Sequence, residues 1–232
     1  MVVFDLDDTL YEYERCEEAG RAAVFRFAND ELGVMATEFA AAYDAGRTAV
    51  KSRLGPVASS HSRLLYCHEA LESVGLRSEP LIALAMEQEF WREYILTMRL
   101  RPGVLDLLQR LRFHGVPIAI VTDLTAQIQF RKLAYLDIAR LIDHIVCSEE
   151  TQGEKTTLAP FRLLFSRVPA SQRESVWFIG DNPNDAPIAA LRDEGLIGTG
   201  FGLVRGSTRG QDVSPWLSVA DIDRALKRVL PD

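Results

Sequence analysis

The chain has 232 residues, 47% of them hydrophobic and 25% charged, with a formal net charge of −7 at pH 7. This composition supplies a sizeable core and excludes intrinsic disorder and collagen-like architecture. The acidic balance, with Lys and Arg scattered, argues against a nucleic-acid or anionic-membrane surface. The length fits one large domain or one domain plus a substantial insertion. Cys16, Cys67 and Cys147 are odd in number and show no C-x-x-C spacing, so neither a disulfide framework nor a zinc site is indicated and a reducing cytoplasm is the expected setting. No apolar run reaches the roughly 18 residues of a membrane span, and no basic-then-apolar signal segment opens the chain.

In chain order, the first apolar run is Val2-Val3-Phe4, which stops at Asp5. From about Tyr11 to Leu100 the pattern is helical without a convincing strand. Phe25, Leu32, Phe39 and Tyr43, then Leu64, Leu65 and Leu71, then Leu84, Phe90 and Trp91 form apolar seams, with breaks at Gly55-Pro56 and Ser78-Glu79-Pro80. Met35, Met86 and Met98 read as core filling. Beyond Arg101-Pro102-Gly103, a helical stretch around Val104–Leu111 leads to the run Ile118–Val121, which ends at Thr122. Ile145–Cys147 and Val176–Ile179 repeat the grammar, ending in Ser148-Glu149-Glu150 and Gly180-Asp181, with a helical pattern at Phe161, Leu164 and Phe165 between them. A further strand is expected at Leu196-Ile197, a flexible loop at Gly198–Gly202 continuing past Arg205 and Arg209, and an amphipathic helix from Asp221 to Leu230.

Continuous rather than alternating apolar strands are those of parallel sheets covered on both faces. Strand, helix, strand, helix describes an α/β, doubly wound, Rossmann-like parallel sheet whose ligands bind beyond the carboxyl ends of its strands. The predicted organisation is an α/β core over 1–10 and 101–232, with an all-helical cap inserted over 11–100.

The most informative segment is Phe4-Asp5-Leu6-Asp7-Asp8-Thr9-Leu10. Two carboxylates this close repel, so keeping both ionised needs a cation, and a hard divalent ion with oxygen ligands meets that need. The alternative for D-x-D is a turn stabilised by local hydrogen bonds. Asp181 and Asp185, at another strand end, can join the first pair, and such a cluster suits Mg²⁺. Thr122 offers a hydroxyl for phosphoryl oxygens or is simply a strand-end residue. Lys155 supplies a cation for an acidic site or is an ordinary surface lysine.

Together, and in this order, these four segments resemble the haloacid dehalogenase-like hydrolase superfamily, a group dominated by Mg²⁺-dependent phosphatases. The resemblance covers nearly the whole chain and rests on D-x-D-x-T and G-D-x-x-x-D. It implies Asp5 as the nucleophile that forms an aspartyl-phosphate and Asp7 as the general acid and base. It implies Asp5, the backbone carbonyl of Asp7 and Asp181 as metal ligands, Thr122 and Lys155 as phosphoryl holders, and Asp185 as a support for Lys155 or the metal's water shell. Two departures stand out: Lys155-Thr156 where relatives have Lys-Pro, and Asp123 where many have Asn.

The reading is a Mg²⁺-dependent phosphomonoesterase acting on a small phosphorylated metabolite, a sugar phosphate or nucleotide, as monomer or homodimer. A sugar-phosphate mutase, a haloacid dehalogenase and a phospho-ligand-binding module that has lost the chemistry are the alternatives. Retention of Asp7 speaks against the dehalogenase. Cleavage of a phosphonate, which in the family uses a cap lysine, is disfavoured because Lys51 is the only lysine from Tyr11 to Leu100. Substrate choice is expected in the cap, with Glu12, Tyr13, Arg15, His61, Arg63 and Tyr66 as candidates.

Overall fold

The computed structural model describes residues 1–205, 216–219 and 222–230. The chain divides into two compact units, one of Tyr13–Met98 and one of Met1–Glu12 with Arg99–Asp232.

The Tyr13–Met98 unit is helical: α1 (Tyr13–Leu32), α2 (Ala36–Leu54), α3 (Arg63–Ser73) and α4 (Pro80–Thr97). The breaks follow local chemistry. Gly55 closes α2 at φ 73° and ψ −162°, a positive-φ conformation essentially reserved for glycine. Pro80 opens α4, where its missing N–H is harmless.

The buried face of α3 is Arg63, Tyr66, Cys67, Ala70 and Leu71, a helical stripe that begins with a charge. An apolar-only reading starts that stripe one residue late, which is why Leu64, expected in a seam, is exposed. Leu84 and Met35 are likewise exposed, while Met86, Phe90 and Trp91 are buried. The Arg63 guanidinium lies over the rings of Tyr66, Phe90 and Trp91. It donates to Glu17 Oε2 at 2.6 Å, Tyr13 Oη at 2.9 Å and the His61 carbonyl at 2.8 Å.

The other unit is built on six parallel strands, β1 (Val2–Phe4), β2 (Ile118–Thr122), β3 (His144–Cys147), β4 (Ser175–Gly180), β5 (Thr199–Arg205) and β6 (Trp216–Val219), in the order β3-β2-β1-β4-β5-β6. Helices α5 (Val104–Phe113), α6 (Ala126–Tyr135), α7 (Ala159–Arg167), α8 (Ile188–Asp193) and α9 (Ile222–Val229) complete it. All five residues of β2 are buried, as an unbroken apolar run requires. One core layer joins Val3, Val121, Val146 and Phe178 to Phe161, Leu164 and Phe165 of α7. The central β1 pairs Phe4 with Ile120 on one side and Ile179 on the other, so all three strands end within two residues of one another in register. The chain leaves and returns to this unit through an antiparallel bridge between Tyr11 and Leu100.

Two expectations fail beyond β4. The strand expected at Leu196-Ile197 begins later, at Thr199, and the glycine run expected as a loop lies in β5 from Thr199 onward, with Gly198 just before it. The glycines serve close approach. A Cβ on Gly198 would sit 2.5 Å from the Glu174 carbonyl oxygen, and one on Gly200 2.6 Å from Ile188 Cγ2. β6 lacks the apolar run that marks the other strands, and the final helix is α9. Arg209 lies outside the described residues.

Removing one partner of a buried ion pair strands the other charge, at a cost of about 3–5 kcal/mol. Arg63→Ala should therefore destabilise the protein by that order in urea denaturation. Arg53→Ala, which breaks an exposed pair with Glu69, should cost less than about 1 kcal/mol.

Candidate active site

The turn after β1 is built almost wholly from its own sequence. The Asp5 amide donates to the Ile179 carbonyl at 2.9 Å, which keeps Asp5 in the sheet, while Thr9 Oγ1 donates to Asp5 Oδ2 at 2.9 Å. This hydrogen bond gives the threonine of D-x-D-x-T its structural role. Asp8 adopts φ 61°, a left-handed conformation that Asp tolerates better than most residues, and its carboxylate is held at 2.6 Å by Arg101. Leu10 N–H closes the turn on the Leu6 carbonyl at 3.0 Å.

The ends of the neighbouring strands bring the other groups. Gly180 ends β4, and a Cβ there would fall 2.0 Å from Asp185 Oδ2, so only glycine lets the Asp185 side chain fold back over the strand end. Asp185 Oδ2 accepts the Asn182 N–H at 3.0 Å, and Oδ1 accepts Lys155 Nζ at 2.9 Å. Lys155 Nζ also donates to Asp5 Oδ1. With Thr156 rather than proline after it, Lys155 still places its ammonium between Asp5 and Asp185, and its amide donates to Asp123 Oδ1 at 2.9 Å. Asp123 thus ties the end of β2 to the loop that follows β3. These groups line a cavity of about 300 Å³ with Asp5, Asp7, Thr122 and Asp181.

The carboxylates divide into two sets. Ligand oxygens of Asp5, Asp181 and Asp185 lie within 4.8 Å of one another. Burial raises the Asp5 carboxyl well above the usual range despite the Lys155 charge, and Asp185 and Asp7 raise it further. Burial and the Asp185 charge likewise raise Asp181. Burial pushes Asp123 up to about 6, against the pull of Lys155. These groups hold more negative charge than one lysine neutralises, and an all-oxygen donor set of this kind fits a hard divalent cation such as Mg²⁺.

Asp7 belongs to the second set. Burial works against its charge, but Lys132 overcomes this and, with hydrogen bonds from Tyr11 and Gln129, holds it below the usual carboxylate range. Lys132 Nζ reaches Asp7 Oδ1 at 2.8 Å and Oδ2 at 3.0 Å, and Tyr11 Oη donates to Oδ1 at 2.7 Å. With its carboxylate so committed, Asp7 has its backbone carbonyl to offer a metal.

The structure therefore brings Asp5, Asp7, Thr122, Lys155, Asp181 and Asp185 to one edge of the sheet. Of the six residues proposed for substrate selection, Arg63, Tyr13 and Tyr66 are engaged inside the helical unit, Tyr66 through a 2.6 Å hydrogen bond to the Ser60 carbonyl. His61 gives its carbonyl to Arg63, Arg15 is exposed, and Glu12 approaches Arg101 at 3.4 Å within the α/β unit. Sequence reasoning missed Tyr11, Gln129 and Lys132. Gln129 and Lys132 sit three apart on α6, and their only sequence signal is a polar pair on the face of that helix that carries Ile128 and Leu133.

Over residues 1–191 the chain matches the haloacid dehalogenase-like hydrolase family, and it belongs to that family of hydrolases. It is 40% identical over 197 residues to ribulose-1,5-bisphosphate 5-phosphatase of Halopiger xanaduensis, spanning 84% of this chain and 81% of that protein. It is 29% identical over 197 residues to glyceraldehyde 3-phosphate phosphatase of Methanopyrus kandleri, with the same coverage of 84% and 81%. Its fold resembles that of the magnesium-bound hydrolase YfnB of Bacillus subtilis, with a TM-score of 0.65 at 19% identity over 100% of this chain and 98% of that one.

Asp5 and Asp181 bind protons more tightly in the folded chain than unfolded, so their contribution to stability is lost as pH rises through their raised folded values. A cation relieves that repulsion but competes with protons. Saturating Mg²⁺ should raise Tm by about 5 °C at about pH 8 and by far less at about pH 5. Asp181→Asn should remove most of the shift, as thermal melts with and without chelator would show.

Proposed function

We propose that this hydrolase is a phosphomonoesterase that moves the phosphoryl group of a small phosphorylated metabolite first to Asp5 and then to water. The observation that carries the reading is the separation of two kinds of carboxylate at one edge of the sheet. Asp5 sits in the cation-seeking cluster, and Asp7 stands apart in its own hydrogen-bonded setting. A nucleophile and a proton carrier need such different surroundings.

In the first half reaction an Asp5 oxygen attacks phosphorus, the bond to the substrate oxygen breaks, and that oxygen takes a proton from Asp7. In the second, water attacks the aspartyl-phosphate, Asp7 accepts its proton, and the bond from phosphorus to Asp5 breaks. The resting state favours the base role, since Lys132 keeps Asp7 ionised. An anionic phosphoryl group arriving beside Asp7 raises its proton affinity, so Asp7 takes up one proton from solvent as substrate binds and returns it as phosphate leaves. Lys155 and the Thr122 hydroxyl hold the transferring group, while Asp185 keeps Lys155 aimed. Mg²⁺, held by Asp5, Asp181 and the Asp7 carbonyl with Asp185 nearby, would offset negative charge on the phosphoryl oxygens.

The substrate class we propose is a sugar phosphate or similar phosphorylated polyol. The names of both phosphatase relatives support it, as does a cavity of about 300 Å³, which suits a small molecule better than a phosphoprotein segment. Glu12, Tyr13, Arg15 and His61 stay candidates for substrate contact, while Arg63 and Tyr66 act by holding the helical unit in shape. The setting we propose is cytoplasmic, supported by three buried free cysteines. No helix among the described residues is long and apolar enough to cross a membrane.

The test is phosphate release from sugar phosphates, nucleotides and small organic phosphates, with Mg²⁺ and with chelator. Wild type should release phosphate with Mg²⁺ alone, sugar phosphates should lead, and Asp5→Asn should fall to background. Isomerised sugar phosphate without free phosphate would identify a mutase, and halide release from 2-haloacids a dehalogenase.

A further inference from the structure

Below the cavity, α6 sends two polar side chains back under the strand ends. Both Lys132 and Gln129 are completely buried. Lys132 spans both oxygens of Asp7 and lies 5.7 Å from the centre of the Tyr11 ring. Gln129 Nε2 donates to Thr122 Oγ1 at 2.6 Å and to the Asp123 carbonyl at 2.6 Å, and is 3.4 Å from Asp7 Oδ2.

The amide orientation follows from the acceptors. A carbonyl and a carboxylate can only accept, so the nitrogen of Gln129 must face them, and its Oε1 is left buried without a hydrogen-bond partner. Because the Thr122 hydroxyl receives this hydrogen, its own proton has to go elsewhere. Within the protein it donates to the Asp123 carbonyl at a long 3.4 Å, a weak hydrogen bond that a nearer acceptor would replace. A phosphoryl oxygen in the cavity that Thr122 lines would supply that nearer acceptor.

An apolar pair in place of a buried ion pair is often as stable or more so, so stability is a weak reason for this one. A fully buried lysine and an amide with an orphaned oxygen are both costly arrangements. What they accomplish is geometric. They fix the two groups at the edge of the sheet that must meet the substrate from opposite roles.

We propose that Lys132 and Gln129 are positioning residues for phosphoryl transfer, Lys132 by locking the Asp7 carboxylate and Gln129 by aiming the Thr122 hydroxyl at the transferring group. The inference rests on the phosphatase reading and adds to it two residues outside the four strand-end motifs.

The experiment is a double-mutant cycle on phosphate release with Mg²⁺, using wild type, Lys132→Met, Asp7→Asn and the pair. A side chain acting through Asp7 loses its effect when Asp7 can no longer transfer protons. Lys132→Met should lower kcat about 100-fold with KM within about threefold, and should cost less than about twofold more in the Asp7→Asn background. Gln129→Leu should do the reverse, raising KM about fivefold with little change in kcat, because Thr122 holds substrate and transition state alike. Equal losses from Lys132→Met in both backgrounds, or an unchanged kcat, would overturn the role of Lys132. An unchanged KM in Gln129→Leu would overturn that of Gln129.

If Lys132→Met alone fails to fold, Lys132→Gln, which retains a donor near Asp7, is compared in the same two backgrounds. A crystal structure of the folded Lys132 variant reads the geometry without turnover. Asp7 found in its original position counts against the proposal, and a displaced Asp7 supports it. Silence of the wild-type enzyme on every phosphate ester would instead count against the phosphatase reading, and the two failures stay distinct.

Discussion

Five carboxylates, those of Asp5, Asp7, Asp123, Asp181 and Asp185, line one cavity at the carboxyl edge of the parallel sheet, and much of the site consists of the means by which their mutual repulsion is contained. Lys155 is placed between Asp5 and Asp185 from the turn after β3. Lys132 reaches Asp7 from α6. The cluster of Asp5, Asp181 and Asp185 is still under-neutralised, which is the physical basis for expecting a divalent cation there. Arg101 performs the same service for Asp8 at the base of the turn.

Containing charge in this way also differentiates it. Asp5 and Asp7 are two residues apart, yet burial among carboxylates raises one while a buried lysine lowers the other. Two chemically identical side chains thereby acquire different proton affinities, and a divalent cation beside Asp5 would bring its raised value back down and keep it ionised. Gly180 contributes by lacking a side chain: the space a Cβ would take is occupied by the Asp185 carboxylate that steadies Lys155.

The helical unit solves a different problem with similar means. Its buried charge, Arg63, is matched by Glu17 and framed by aromatic rings, and its role is to hold helices together. A charged residue near the start of a helix looks like a ligand contact in sequence. Its orientation into an aromatic interior shows it as a packing element.

By itself the sequence determined the parallel α/β architecture, because unbroken apolar runs ending in polar residues have few other solutions. It also marked the candidate site residues at the ends of β1, β2 and β4, which line one cavity because each lies next to the strand that positions it. The later glycine run misled, since close backbone approach and loop flexibility call for the same residue. What only the tertiary structure decided are the partners brought from far along the chain. Lys132 meets Asp7 across 125 positions of sequence, and Asp123 meets the amide of Lys155 across 32. No periodicity or motif encodes such pairings; they exist because strand order and helix phase aim side chains from separate segments into one small volume, where burial makes each unpaired charge expensive.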